Sequence, residues 1–260
     1  MLLRLPTSVS EAQEYLTQGA VPIGGATLVW ATWQRDGFPD HAMSLRDLPE
    51  ANTIEPEALG AAVVLNRIDD RVPEVLRRAA STVGTGAVRR TATVGGNIVG
   101  STLRCLLPAA LVLDARAVIL EPEGVTETDL AEVLAKRHLL LSLRWRTPIA
   151  SNYVKAAAAP GGPSPLVVAA ALHSADSDGD GNANANANAN ANGNGNGNGT
   201  LLRVAVRSED EVFSENAACH GDTDATLRAL RDGSLGRLPA PAWELVGRQV
   251  TGLLAHPADH

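Results

Sequence analysis

Thr93-Val94-Gly95-Gly96-Asn97-Ile98 is a glycine-paired turn, and Ile23-Gly24-Gly25-Ala26-Thr27-Leu28 is a second of the same kind far upstream. In each, an apolar extended run gives way to small or polar residues. A glycine pair puts no Cβ in the way, so consecutive backbone N–H groups can close on an anion. One such turn is common and says little. Two of them, joined by a segment with α/β patterning, point to a site that holds the two phosphates of a dinucleotide from opposite sides.

The bulk numbers bound this reading. A chain of 260 residues supports one large domain or two modest ones with a real core. It is 45% hydrophobic and 20% charged, as a soluble protein would be, and only 3% aromatic, so Leu, Val and Ala must build the interior. A formal charge of -7 argues against a nucleic-acid surface, which needs a basic face to displace counterions. No run approaches the ~18 apolar residues of a membrane span. Met1-Leu2-Leu3-Arg4-Leu5-Pro6 has neither the apolar core nor the cleavage pattern of a secretory signal. Cys105 and Cys219 are too few for a disulfide framework, which makes a reducing cytoplasm the expected compartment. The histidines show no ligand spacing and there is no Gly-x-Ser-x-Gly elbow, so neither a metal site nor a catalytic residue is expected.

Along the chain, Ser8-Val9-Ser10-Glu11 reads as a capping box opening a short helix that stops at Gly19. Ala20 to Ile23 reads as a strand feeding the first glycine pair, Leu28 to Trp33 as a helix facing it, and His41 to Ser44 as a strand. Ala58 to Leu65 is apolar enough for a buried strand, with a helix as the alternative. Val72 to Thr82 is a helix with Val75, Leu76, Ala79 and Ala80 on one face. Leu106 to Leu113 is a helix that tolerates Pro108 only near its start. Ala117 to Glu121 and His138 to Trp145 read as strands, and Tyr153 to Lys155 with Leu166 to Leu172 as a hairpin around Pro160-Gly161-Gly162-Pro163. Residues 174–199 are Asp/Gly, then Asn-Ala, then Asn-Gly repeats, and read as a disordered hairpin insertion. Leu201 to Arg207 is expected to pair back with Leu166 to Leu172, followed by helices over Thr223 to Arg231 and Ala242 to Leu254.

Extended, the second turn reads Val-Gly-Thr-Gly-Ala-Val-Arg-Arg-Thr-Ala-Thr-Val-Gly-Gly-Asn-Ile from Val83 to Ile98. It resembles the signature of the FAD-binding medium subunits of molybdenum hydroxylases, the xanthine dehydrogenase and carbon monoxide dehydrogenase flavoprotein family. Ile23 to Leu28 stands where that family has its first flavin-binding glycine motif. Pro108 to Ala115 resembles the helix after the second motif, and Tyr153-Val154-Lys155 the Tyr-x-Lys strand that opens the C-terminal domain. Four motifs in the right order carry the resemblance, clearest from about Ala20 to Leu172.

The resemblance implies an α+β protein: a PCMH-type two-subdomain FAD-binding domain over 1–150, divided at about residue 52, and a small sheet-plus-helices domain over 151–260. It implies a noncovalent FAD that takes electrons from iron–sulfur clusters on a partner subunit. A molybdopterin-binding large subunit would complete a hetero-oligomer. It assigns cofactor contacts to Val21, Pro22, Ile23, Gly24, Gly25, Ala26, Thr27 and Leu28, to Thr93, Val94, Gly95, Gly96 and Asn97, and to Lys155 beside the flavin. The glycines would let main-chain donors approach the phosphates, and Thr27 and Thr93 would add hydroxyls. Two departures stand out. Leu106 occupies the place of a family aspartate, and Ala156 to Ala159 replace an arginine expected after Tyr-x-Lys.

Several blander readings compete. Gly84-Thr85-Gly86 is no nicotinamide fingerprint, because Arg89 stands where a small residue must sit. Arg89 and Arg90 either neutralise phosphate, face a partner or lie in solvent. Asp176 to Gly181 mimics half a calcium loop but lacks the closing glutamate. Cys105 reads as a small buried residue, and Trp30 and Trp33 as helix packing. The expected function is an electron-transferring FAD subunit. The alternatives are a degenerate, non-catalytic homologue acting as an interaction module, and a standalone NAD(P)H-dependent flavin reductase.

Overall fold

The structure, a computed structural model, describes residues 1–101, 103–156, 165–175, 199–209, 211–219 and 221–255. Three sheets follow one another along the chain. In the first, β1 (Leu2–Arg4), β2 (Val21–Pro22) and β3 (His41–Met43) run parallel in the order β1-β3-β2. The crossovers are α1 (Val9–Thr17) and α2 (Val29–Asp36). The Ser8 hydroxyl caps α1 by accepting the Glu11 N–H, while the Glu11 carboxylate accepts the Thr7 N–H at 2.8 Å. The reciprocal half of the capping box thus reaches one residue further back than the usual pattern.

The second sheet is antiparallel, ordered β4-β5-β8-β6-β7, from β4 (Ile54–Glu55), β5 (Ala58–Gly60), β6 (Arg116–Glu121), β7 (Gly124–Asp129) and β8 (Leu139–Arg144). Between β5 and β6 the chain forms α3 (Glu74–Ser81), α4 (Gly86–Arg89), a π-type turn over Gly96–Gly100, and α5 (Leu107–Val112). A further helix, α6 (Leu130–Lys136), links β7 to β8. The apolar run from Ala58 is a strand only as far as Gly60. A Cβ on Gly60 would fall on the Ala51 carbonyl, so the chain bends there and continues to a 3₁₀ turn at Leu65–Arg67. Pro108 sits in the first turn of α5, where its missing N–H leaves no intrahelical bond unmade.

The third sheet is an antiparallel meander, β12-β11-β10-β9, from β9 (Ala150–Lys155), β10 (Val167–Ser174), β11 (Thr200–Ser208) and β12 (Glu211–Cys219). Leu166–Leu172 therefore pairs with both Tyr153–Lys155 and Leu201–Arg207, as the patterning predicts. Ser174 lies in β10 opposite Thr200, and the Ala175 N–H donates to Gly199 O at 2.7 Å, so the ladder extends into the edge of the expected insertion. The Pro160–Pro163 turn, the Asp176–Gly181 calcium-like stretch and the repeats over 176–198 lie outside the described residues. Two helices, α7 (Thr223–Asp232) and α8 (Ala240–Ala255), close the chain.

Burial explains the unbroken apolar run of β10. Val167, Ala169 and Ala171 face α3 and α5, which are packed between the second and third sheets; Val168, Ala170 and Leu172 face α7 and α8. A strand covered on both faces needs no alternation. In α3 the stripe of Val75, Leu76, Ala79 and Ala80 is fully buried, as its period requires. The helical reading of Trp30 and Trp33 as core packing is overturned, since no residue of α2 is buried. Both rings instead meet Phe38 edge-on, at 5.3 and 6.1 Å between centroids, on an exposed face. The sequence reading also passed over β1, β4, β7, α6 and β12; in β7 and β12 polar outer positions hide the period.

Asn52 ties the first sheet's exit to the second sheet: its amide donates to Leu45 O (3.1 Å), Arg46 O (3.0 Å) and Leu48 O (2.8 Å). Asn52→Ala removes all three bonds, although Leu45 O and Leu48 O keep the Leu48 and Ala51 N–H groups, and is expected to lower the unfolding free energy by about 1–3 kcal/mol in denaturant titrations. Tyr153 is buried against α3, where its hydroxyl meets Thr82 Oγ1 at 3.3 Å; that oxygen already donates to Ala79 O, so the phenol is the donor. Burial pushes the phenol up to about 12 from 10.0. The unfolded chain therefore loses this proton first, and stability falls as pH rises through the window from 10.0 to about 12. This single group accounts for up to roughly 2.7 kcal/mol of the decline, a portion that Tyr153→Phe should abolish in denaturant titrations across that window.

Candidate functional site

The first glycine turn leaves the sheet where the Ile23 N–H makes its last ladder-like bond, to Met43 O at 2.8 Å. The chain then passes Gly24 and Gly25, turns through Ala26 in the left-handed region (φ 56), and enters α2 with the Trp30 N–H on Ala26 O. Leu28 is the N-cap and supplies no side-chain cap. The N–H groups of Gly24, Gly25, Ala26, Thr27 and Leu28 have no acceptor among the described residues. A run of unpaired N–H groups around a left-handed residue, leading into a helix start, is an anion cradle. Val21, Pro22, Gly24, Thr27 and Leu28 are exposed, and Ile23, Gly25 and Ala26 are half-buried.

This turn lies on the second motif. A Cβ on Gly24 would fall on the Thr93 hydroxyl, and one on Gly25 on the Thr91 carbonyl. The bare backbone at both positions is therefore required by close approach. Two motifs separated along the chain meet in one place, as a shared diphosphate site demands.

The second turn is built differently. Thr93, Val94 and Asn97 are buried. The Val94 N–H donates to Val63 O (3.0 Å), Gly95 N–H to Ala61 O (2.9 Å), Gly96 N–H to Thr93 Oγ1 (3.2 Å) and Asn97 N–H to Thr93 O (2.9 Å). Gly95 is needed for contact with Ala61, whose Cβ would lie 3.1 Å from an added one. What the second turn presents to the cradle is thus the Thr93 hydroxyl, whose proton has no acceptor among the described residues. Asn97 Oδ1 accepts the Leu106 N–H at 2.9 Å and so fixes the turn to the start of α5. Leu106 itself is fully buried in the core.

Lys155 stands at a third position. Its ammonium donates to Thr82 O at 2.8 Å, at the C-terminal end of α3. Arg89 Nη1 donates to Val83 O (3.0 Å) and Gly84 O (2.9 Å) on the same stretch. The direct contacts of Lys155 therefore link it to the α3 exit, which leads through α4 to the second turn. Cys105 is buried nearby, as expected. Thr91 and Ala61 escaped the sequence reading because they act through main-chain carbonyls, which no side-chain pattern marks. Among the described residues no His/Cys/Asp/Glu group could hold a metal ion, and no helix is long and apolar enough to cross a membrane.

The residues present fit a dinucleotide: an uncapped helix start, a run of free N–H groups and a hydroxyl donor converge where any Cβ would intrude. The sequence profile of the family described as "FAD binding domain in molybdopterin dehydrogenase" matches residues 3–143. The fold is similar to quinoline 2-oxidoreductase from Pseudomonas putida 86, with a TM-score of 0.69 and 15% identity, covering 98% of this chain and 97% of that one. It is also similar to a reconstituted CO dehydrogenase from Oligotropha carboxidovorans, with a TM-score of 0.66, 17% identity and 97% of each chain covered. Carbon monoxide dehydrogenase from Hydrogenophaga pseudoflava gives a TM-score of 0.64 at 17% identity, over 96% of this chain and 94% of that one. No curated protein sequence matches the chain. At these identities the structures speak for the fold, whereas the family profile spans more than half of the sequence. The chain therefore belongs to the family of FAD-binding domains of molybdopterin dehydrogenases, and its cofactor is FAD.

Proposed function

We propose that this protein is the FAD-carrying electron-transfer subunit of a molybdenum-hydroxylase-type dehydrogenase, with residues 1–150 as the FAD-binding domain and 151–260 as a C-terminal domain. Electrons from iron–sulfur clusters on a partner subunit would pass through its FAD to an acceptor. A molybdopterin-binding subunit would select the substrate, and a reducing cytoplasm suits the two free cysteines. The observation that carries the reading is the row of free N–H groups from Gly24 to Leu28, seated on Thr91–Thr93.

Bound FAD supplies the redox chemistry; the chain binds and orients it. Val21 to Ile23 deliver the turn from the sheet, and Gly24 to Leu28 donate main-chain N–H groups to the diphosphate. Thr93 adds a hydroxyl donor. Val94, Gly95, Gly96 and Asn97 hold Thr93 in place through their bonds to Val63, Ala61 and Leu106. Lys155 provides positive charge on the side of the α3 exit.

A degenerate homologue serving as an interaction module is the second reading. It is favoured by Leu106, buried where the family pattern has an aspartate, and by a second turn whose N–H groups are already satisfied. The two readings separate on FAD uptake. Purified protein incubated with FAD and desalted should retain flavin absorbance in the blue. Gly25→Val, which drives a side chain into the Thr91 carbonyl, should weaken FAD binding about 100-fold, roughly 2.8 kcal/mol, in fluorescence titrations. Wild-type protein that stays colourless with added FAD, yet co-purifies with a partner, sinks the first reading and leaves the second.

A further inference from the structure

Several exposed basic side chains of this acidic protein have a carboxylate beside them: Arg35 with Asp36, Arg71 with Asp69, Arg78 with Glu74, Lys136 with Glu132. The buried Arg207 does not. It is 1% exposed on β11, and among the described residues no carboxylate pairs with it. Its Nη2 donates to Pro165 O at 2.7 Å, its Nη1 reaches Glu209 O only at 3.4 Å, and its Nε has no acceptor at all. A buried charge without a counter-charge is among the least favourable arrangements in a protein interior, and such groups cluster where a ligand completes them.

The sheet register shows what lies beside it. Lys155, Val167 and Arg207 form one cross-strand row, so the two cations project from the same face on either side of Val167. At about 4.8 Å per strand their Cα atoms are about 10 Å apart, a span that two long side chains close around one small group. Among the described residues, Lys155 donates to Thr82 O, and Arg89 to Val83 O and Gly84 O, at the same end of α3. Tyr153 lies on the same face, two residues before Lys155, with its hydroxyl on Thr82 Oγ1. Arg104, next to Cys105, carries a second buried Nε without an acceptor. Lys155 and Arg89 thus meet at the end of α3, Arg207 shares the sheet row of Lys155, and among the described residues all three side chains donate to main-chain carbonyls.

We propose that Arg207 and Lys155, with Arg89 at the rim, form a binding site for negative charge, separate from the main-chain cradle of Gly24–Leu28. Its chemistry suits a planar delocalised anion or a compact oxyanion. Two sources supply that chemistry: the ring of bound FAD, which gains electron density on reduction, and a free carboxylate or phosphate. The first source rests on the FAD reading above; the second does not.

The test uses the full chain as wild type, Arg207→Met, Arg207→Lys and Lys155→Met. Removing an unpaired buried charge into a similar apolar volume is tolerated by folding, and Lys155→Met reads the same site if Arg207→Met fails to fold. In FAD-free protein, phosphate and acetate are titrated at constant ionic strength with thermal unfolding as the readout. In FAD-loaded protein, the affinity for oxidised FAD and the midpoint potential are measured. A free anion as occupant predicts an anion-dependent rise in Tm whose apparent affinity falls about tenfold in Arg207→Met and recovers in Arg207→Lys. The cofactor ring as occupant predicts, for Arg207→Met, an unchanged affinity for oxidised FAD with a tenfold loss of preference for the reduced form, about 30 mV for two electrons. Either result supports the site. Variants that alter Tm alone, with anion response and potential unmoved, overturn it. Wild type that binds anions at Arg207 but no FAD would refute the FAD reading while leaving this site standing.

Discussion

The backbone of Gly24 and Gly25 lies directly on the backbone and hydroxyl of Thr91–Thr93, and the rest of the site depends on that contact. It exists only because neither glycine has a Cβ. From it, bonds run inward without a break. Thr93 carries Gly96 and Asn97; Asn97 carries Leu106 and hence the start of α5; Gly95 is held by Ala61 on the exit from β5. The first sheet, the second sheet and the helices between are therefore joined at the cradle. The exposed turn can keep its N–H groups free because the buried turn beneath it is fully bonded. An anion cradle needs donors that do not relax onto internal acceptors, and a rigid floor provides that.

The third sheet supports this floor from the other side. Its face of Val167, Ala169 and Ala171 packs on α3 and α5. Each helix is also held by polar contacts from the strands. Lys155 and Tyr153 bind the end of α3 at Thr82, and His173 meets Val112 O at 2.8 Å near the end of α5. Arg203 reaches Asp114 just beyond it, at 2.9 Å. The third sheet thus fixes the helices whose far ends lead to the glycine turns.

Legibility followed the range of the interaction. The helical stripe of α3, the turn chemistry at both glycine pairs and the pairing of β9, β10 and β11 were all readable, because each is written in neighbouring residues. The failures were of another kind. Trp30 and Trp33 have the spacing of a buried helix face, yet no residue of α2 is buried and both rings meet Phe38 instead, because burial depends on a covering surface that spacing does not encode. Gly95 and Gly96 look like phosphate donors as much as Gly24 and Gly25 do, yet their N–H groups are taken by Ala61 and Thr93. Arg207 drew no attention as the last residue of an alternating strand, and its burial with main-chain acceptors at Pro165 and Glu209, and no carboxylate among the described residues, arises only in the folded chain.

Read alone, the chain marked the places where the backbone must be bare, and its motif order carried the family resemblance that implied FAD and the class of fold. Those properties belong to local dihedral freedom, periodicity and motif order, which survive without any knowledge of contacts. Which glycine turn keeps free donors, which serves as its floor, and which cations are left without an acid were decided only when distant segments met. The acceptors responsible, Ala61 O, Thr91 O and Thr82 O, are main-chain carbonyls that every residue possesses, so only their position in space distinguishes them.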